Sequence, residues 1–71
     1  MNQINPKKLL NSKWTAVEPV AREKHFIVSD IKFDEEKAVV ACFIEPVMSG
    51  RLIAIDWHDL KDDTQWLHGW K

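Results

Sequence analysis

The sequence predicts a mainly β domain, in which consecutive short strands form a single antiparallel meander with a short helical turn near each end. Residues 25–33, 38–44 and 51–57 are rich in β-branched and aromatic residues, which alternate with polar residues or form a short apolar run. Turn-forming residues separate these segments at 34–37 and again at 48–50. Connections this short join antiparallel neighbours, so the three segments are expected to lie side by side.

The N-terminal part begins with a helix start signal. Asn5 is a good N-cap and Pro6 suits the first helical position, which would place Leu9 and Leu10 on the inward side of a turn or two. Residues 13–17 then favour a strand, which Pro19 either ends or places at an edge of the sheet. Residues 20–24 are expected to form a loop.

The strand segments differ in how their faces are covered. In residues 25–33, two sets of side chains point to opposite faces: Ile27, Ile31 and Phe33 on one, and Phe26, Val28, Asp30 and Lys32 on the other. Residues 38–44 are apolar on both faces, which is typical of a central strand that is covered on both sides, and Pro46 ends or bulges it. In residues 51–57 one face carries Ile53, Ile55 and Trp57.

The C-terminal part predicts a short helix. Asp62 is its N-cap, Gln65 its capping-box partner and Gly69 its end, which would place Trp66 and Trp70 on one face. Five residues are expected to close the sheet as a structural clasp: Trp57, Leu60, Trp66, Gly69 and Trp70. A bent meander closed in this way is similar to an SH3-like or Tudor-like, partly open barrel.

The chain has 71 residues, which fits one small domain over residues 1–71. It has four tryptophans and no tyrosine, so the tryptophans supply either the core or a binding surface. Three of them belong to the clasp. Trp14 stands on a predicted edge strand beside Lys13, and it is the tryptophan that we expect to be functional.

The single cysteine and the absence of long apolar runs bear on location. Cys42 lies in an apolar segment, so it is expected to be a small buried hydrophobe, and one unpaired cysteine fits a reducing compartment. The N-terminal residues have no signal-peptide pattern, and no apolar run is long enough to cross a bilayer. These features predict a cytoplasmic protein.

Enzymatic and metal-dependent functions find little support in the sequence. The serines lack a nucleophile motif, and two glycines are too few for a phosphate-binding loop. The spacing of His25, His58, His68 and Cys42 matches no zinc pattern. Helix capping accounts for the pair Asp62 and Asp63. We therefore expect no catalytic residues, no metal and no cofactor.

Two binding hypotheses remain. In the first, the domain is an interaction module whose partly exposed tryptophans, with Asp56 and Asp59 nearby, bind a basic or aromatic segment of a protein partner. In the second, it binds RNA or single-stranded nucleic acid. Residues 1–24 carry five basic and two acidic side chains, and the candidate contacts are Lys7, Lys8, Lys13, Arg22 and Lys24 for phosphates and Trp14, His25 and Phe26 for bases.

Residues 25–71 carry nine acidic and five basic side chains, which favours the protein partner over nucleic acid; the basic N-terminal segment favours nucleic acid, but less strongly. Oligomeric state stays open, because free strand edges can pair between copies of a chain.

Three blocks of sequence resemble a known family. They are the segment from Asn5 to Val17, which contains SKWTAV; the block EKHF at residues 23–26; and the pattern that joins Trp57, Leu60, Asp62, Trp66, Gly69 and Trp70. Together they resemble a small tryptophan-rich bacterial family of unknown function. The resemblance implies a stand-alone bacterial protein, and it carries over no activity, cofactor or binding residue.

Overall fold

The computed structural model describes residues 2–20 and 22–71, and its framework is one antiparallel sheet of five strands. The strands are β1 (Lys13–Val20), β2 (Glu23–Phe33), β3 (Val39–Pro46), β4 (Ile53–Ile55) and β5 (Trp66–His68). A first 3₁₀ turn (Pro6–Lys8) precedes the sheet, and a second 3₁₀ turn (Trp57–Lys61) connects β4 to β5. The predicted mainly β fold is confirmed, and it has two short helical turns, of which the first lies where the sequence predicts it.

The strand order β4-β3-β2-β1-β5 shows how the sheet is built. The first four strands form the predicted meander, and β5 returns to pair with β1. Residues of both edge strands, β4 and β5, line the same groove, so the sheet is strongly curved and remains open between its edges. This is the partly open arrangement that the sequence predicts, whereas the particular likeness to SH3 or Tudor barrels stays a prediction.

The N-terminal turn forms as its capping signal predicts. The Asn5 side chain accepts a hydrogen bond from the backbone N–H of Lys7 at 3.0 Å, and Pro6 opens the turn. Leu9 is buried but Leu10 is half-exposed, so only the first of the two leucines faces inward.

The predicted loop over residues 20–24 is wrong, because β1 extends to Val20 and β2 begins at Glu23. A tight connection joins them; Arg22 takes a left-handed conformation (φ 63°) there, and Ala21 lies outside the described residues. Proline has no N–H for a neighbouring strand. Since β5 pairs only with residues 14–16 of β1, Pro19 lies where β1 has become an edge, as predicted.

A β-bulge in β2 changes which side chains share a face. Val28 pairs with Ile44 and Asp30 with Phe43, which leaves Ser29 as the extra residue. Ile31 therefore joins Phe26 and Val28 on the inner face instead of sharing a face with Ile27. Simple alternation along the strand cannot anticipate this change.

β3 lies inside the sheet, but it is buried on one face only. Cys42, Ile44 and Pro46 are buried, whereas Ala41 and Phe43 are half-buried and Val40 is 62% exposed. The prediction of a strand covered on both sides is wrong, because one curved sheet has a single inner face and no second layer covers the outer one. Pro46 ends the strand, as predicted.

The predicted C-terminal helix is also wrong. Asp62 caps only one turn, accepting hydrogen bonds from the backbone N–H and hydroxyl of Thr64, and residues 66–68 then form β5. Trp57 does not end a strand but begins the second 3₁₀ turn, which Asp56 caps. Pairing with the open edge of β1 offers backbone hydrogen bonds and burial that a helix of one or two turns lacks, so tertiary contacts override the local signals.

The core lies on the inner face of the sheet and consists of Leu9, Trp14, Phe26, Val28, Cys42, Ile44 and Leu60. Among the predicted clasp residues, Leu60 is fully buried and Trp57 and Trp66 pack half-buried against this core. Trp70 lies on the outer face and is 45% exposed. No helix in the described part of the chain is long and apolar enough to span a membrane.

Candidate functional site

A groove of about 520 Å³ lies between the two edges of the sheet, and we call it the inner groove. Its floor is apolar and is formed by Ala16, Phe26, Ile44, Ile53, Ile55 and Trp66. Phe26 and Ile44 are almost completely buried beneath it, so the accessible part of the floor comes from the half-buried residues of β1, β4 and β5. The Trp66 ring meets Phe26 edge to face, with 5.1 Å between ring centroids, and this contact fixes its position.

The rim of the inner groove is polar and carries two carboxylates, Glu18 and Glu23. Glu23 is already occupied, because one carboxylate oxygen lies 2.8 Å from the Arg51 guanidinium and the other accepts the hydroxyl of Ser49. The Glu18 side chain is exposed, and its carboxylate makes no ion pair or hydrogen bond with another described residue. The rim therefore offers one available negative charge beside an apolar floor.

Two predicted stacking residues are not accessible. Trp14 is 1% exposed and Phe26 is 8% exposed, and the two lie opposite each other on β1 and β2 with their side chains on the inner face. The Trp14 indole N–H donates to the hydroxyl of Ser12 at 2.8 Å, so this indole is both buried and anchored. The prediction that Trp14 is an exposed platform is wrong, because β5 covers the edge on which it would have been accessible.

The predicted basic residues are distributed over three elements and one connection. Two of them lie in the first 3₁₀ turn, one begins β1, one lies between β1 and β2, and one is the second residue of β2; in that order they are Lys7 and Lys8, Lys13, Arg22 and Lys24. Lys24 precedes His25, which lies opposite Thr15, so Lys24 is beside the middle of β1. Binding of nucleic acid by these residues stays a prediction.

Two of the predicted binding residues do meet, on the outer face around Trp70. The Lys13 ammonium lies 5.0 Å from the centroid of the Trp70 ring, and the His25 ring centroid is 5.9 Å from it. The Trp70 indole N–H donates to the carbonyl of Phe26 at 2.9 Å. The Trp70 indole therefore already interacts with Phe26, Lys13 and His25, which favours a structural role for Trp70.

A second cavity, of about 380 Å³, lies at the start of β1, and we call it the N-terminal pocket. Its lining consists of Gln3, Ile4, Asn5, Lys8, Leu9, Ser12, Trp14 and His68. His68 is exposed and stacks on Trp14, with 4.6 Å between centroids and 23° between the ring planes. None of the lining residues is acidic, and the two ionisable ones, Lys8 and His68, are both basic.

Three ionisable groups among the described residues have a shifted pKa. Burial raises the pKa of the Cys42 thiol to about 11, with a smaller contribution from the charge of Asp56. Hydrogen bonds from the backbone and ring of His58 lower the pKa of Asp56, and those from Thr64 lower the pKa of Asp62. In the part of the chain that is described, no group of three histidine, cysteine or acidic side chains is positioned to hold a metal ion.

The sequence interpretation missed the residues that make both cavities. Glu18, Ile53 and Trp66 meet in the inner groove, and Gln3 and His68 meet Lys8 in the N-terminal pocket. Predicting either site requires the pairing of β5 with β1, which joins Trp14 to His68 and Ala16 to Trp66. The only available signal was strand alternation in residues 66–68, which is too short to stand out against the capping residues before it.

The family comparison agrees with the resemblance carried by the sequence blocks. Residues 12–71 match the model of the family described as tryptophan-rich protein, DUF2389, a family of unknown function. No curated protein and no solved structure matches the chain. Since the match covers all five strands and the second 3₁₀ turn, the chain belongs to the tryptophan-rich protein family DUF2389.

Proposed function

We propose that the protein is a non-enzymatic interaction module that binds a segment of a protein partner in the inner groove. The observation that carries this proposal is the combination of an apolar floor, which includes Trp66, with the available carboxylate of Glu18 on the rim. An aromatic residue in a shallow concavity is a typical centre of a protein interface, because it buries much area at a low entropic cost.

The charge on the rim indicates the character of the partner. Glu18 attracts a basic side chain, and the nearby face of Trp66 adds cation–π attraction to the same group. The half-buried Ile53 and Ile55 present aliphatic surface to an apolar residue. The expected ligand is a short segment in which an apolar residue is close to a lysine or arginine.

Selection from a displayed peptide library tests this proposal, followed by NMR mapping of a selected peptide on the ¹⁵N-labelled protein. We expect enriched peptides to combine apolar and basic residues and to shift the amide signals of Ala16, Ile53 and Trp66. Ile53→Glu should weaken binding by about tenfold or more, since burying one aliphatic side chain contributes about 1.5–3 kcal/mol.

The matched control is Leu52→Glu, which introduces the same charge at a neighbouring residue that is 58% exposed and does not line the groove. Its affinity should stay within about twofold of the wild type, because it removes no contact with the peptide. Peptides that map outside the groove, or equal losses from the two variants, would contradict the proposed function.

Reversal of the rim charge tests the preference for a basic partner. Glu18→Lys should weaken binding of a selected basic peptide severalfold, because an exposed ion pair is worth about 0.2–1 kcal/mol. The same variant should bind more tightly to a second peptide, in which glutamate replaces the basic residue. Isothermal titration at low and high salt measures both. If Glu18→Lys leaves the ratio of the two affinities unchanged, the assignment of Glu18 is wrong.

A further inference from the structure

The N-terminal pocket combines features that the proposed protein-binding function does not use. It lies at the start of β1, and it shares no lining residue with the inner groove. Leu9 and Trp14 form an apolar base, and polar groups surround it. An apolar base with a few convergent polar groups is typical of small-ligand sites, and about 380 Å³ lies within their usual range of about 300–1,000 Å³.

The stacked pair of rings offers a surface for a third ring. One face of His68 lies against Trp14, which is fixed by its hydrogen bond to Ser12, so the exposed area of His68 is on its other face and its edge. Histidine is among the side chains on which nucleic-acid bases stack. A planar ring stacked on His68 would extend this stack, in which Trp14 is held in place.

The charges around the pocket favour an anion. The lining contains no carboxylate, although the chain as a whole has more acidic than basic residues. Within the described residues, the Lys8 ammonium and the Gln3 amide have no hydrogen-bond or ion-pair partner, so both are available to a ligand. The Asn5 side-chain oxygen is used in capping, which leaves its amide N–H₂ as a further donor.

From these observations we propose that the N-terminal pocket binds a nucleotide unit, with its base stacked on His68 and its phosphate held by Lys8. The ligand is either a free nucleotide or one nucleotide of a single strand, because both present the same ring and phosphate. This site is separate from the basic surface expected from sequence: it uses Lys8 but neither Lys7 nor Arg22.

The test titrates the ¹⁵N-labelled protein with AMP and with a ten-residue single-stranded oligoadenylate at low salt. Either ligand should shift the indole N–H signal of Trp14 and the amide signal of His68. If AMP and the oligoadenylate bind with comparable dissociation constants, the ligand is a free nucleotide. If the oligoadenylate binds ten times more tightly, the ligand is a single strand. For the oligoadenylate, log K should fall with log salt with a slope of about −0.7 per phosphate held.

Neighbouring lysines provide the matched control. Lys8→Glu should weaken binding at least tenfold, whereas Lys7→Glu, with the same charge change on the same turn but outside the lining, should change it less than twofold. His68→Ala should also weaken binding, and His68→Phe should retain it because the ring stack survives. Thermal unfolding of each variant verifies that the fold is intact.

Two results would overturn the proposal. One is the absence of any shift of the Trp14 indole signal at millimolar ligand. The other is an equal loss of affinity in Lys7→Glu and Lys8→Glu, which would indicate general charge attraction. Neither result affects the inner groove, because peptide binding there is measured with Ile53→Glu and Leu52→Glu.

Discussion

The four tryptophans have three different environments, and these environments indicate different roles. Trp14 is fully buried and anchored, Trp57 and Trp66 are half-buried against the core, and Trp70 is half-exposed on the outer face. Composition indicates only that the tryptophans supply either the core or a binding surface, and in the structure Trp14 alone belongs to the fully buried core. Which of them is accessible depends on the strand that covers each one, and local sequence does not contain that information.

Cys42 offers a prediction at the scale of one residue. Its pKa is raised from 9.0 to about 11 in the folded chain. Between these values the unfolded chain has lost the thiol proton and the folded chain keeps it, so the free energy of unfolding falls as pH rises. The fall is about 2–3 kcal/mol at most, at about 1.4 kcal/mol per pKa unit.

Urea unfolding of the wild type and of Cys42→Ala between pH 8 and pH 11 measures this contribution. All other side chains are the same in the two proteins, so the difference between the two curves isolates the thiol. We expect the stability advantage of the wild type to shrink above pH 9. Parallel curves across this range would show that the thiol of Cys42 is not held in its neutral form.

At the scale of elements, a turn or strand is predictable when the contacts that determine it are close in sequence. The first 3₁₀ turn and the turn at residues 34–37 are set by side chains within four residues: Asn5 in one case, and Asp34, which accepts the N–H groups of Glu36 and Ala38, in the other. Both are predictable. β5 depends on pairing with residues 50 to 54 positions earlier in the chain, and the capping signals at Asp62 and Gly69 predict a helix instead.

The Thr15 side chain binds Gly69 and Lys71 to β1 by hydrogen bonds, and this gives a prediction at the scale of elements. Its buried hydroxyl donates to the carbonyl of Gly69 at 2.7 Å and accepts from the N–H of Lys71 at 2.9 Å. Thr15→Val removes both bonds while it keeps the shape of the side chain. It should lower the free energy of unfolding by about 1–3 kcal/mol, because polar backbone groups are left without a partner.

Thr15→Ser is the control, since it keeps the hydroxyl and loses one methyl group, worth about 0.8 kcal/mol. Equilibrium urea unfolding distinguishes the two variants. If the serine variant is less stable than the valine variant, packing of the methyl group rather than hydrogen bonding accounts for the contribution of Thr15 to stability.

At the scale of the molecule, one pair of strands serves both proposed sites. Trp14 pairs with His68 and Ala16 with Trp66, so successive inward pairs of the β1–β5 ladder supply the N-terminal pocket and the inner groove. The sequence predicts the class of fold and the meander. It could not predict either cavity, because each requires residues from both ends of the chain.

The dependence on β5 predicts the effect of removing it. A chain that ends at Gln65 loses the partner of β1, the cover over Thr15 and two tryptophans, so it should lose its cooperative thermal transition and its dispersed NMR spectrum. The full-length variant Leu67→Thr keeps a strand-forming residue at an outward position and should unfold cooperatively. A truncated chain that still unfolds cooperatively would show that β1 to β4 are stable by themselves.

The pairing of β1 with β5 also determines when the molecule can finish folding. The β1–β2, β2–β3 and β3–β4 hairpins each join neighbouring segments, but the pair of Trp14 with His68 spans 54 positions in the chain. Closing a loop of this length costs conformational entropy before any contact compensates for it, and such distant pairings slow folding. During synthesis, therefore, β1 keeps an unpaired edge until residues 66–68 have left the ribosome, and the inner groove and the N-terminal pocket both appear only at that last step.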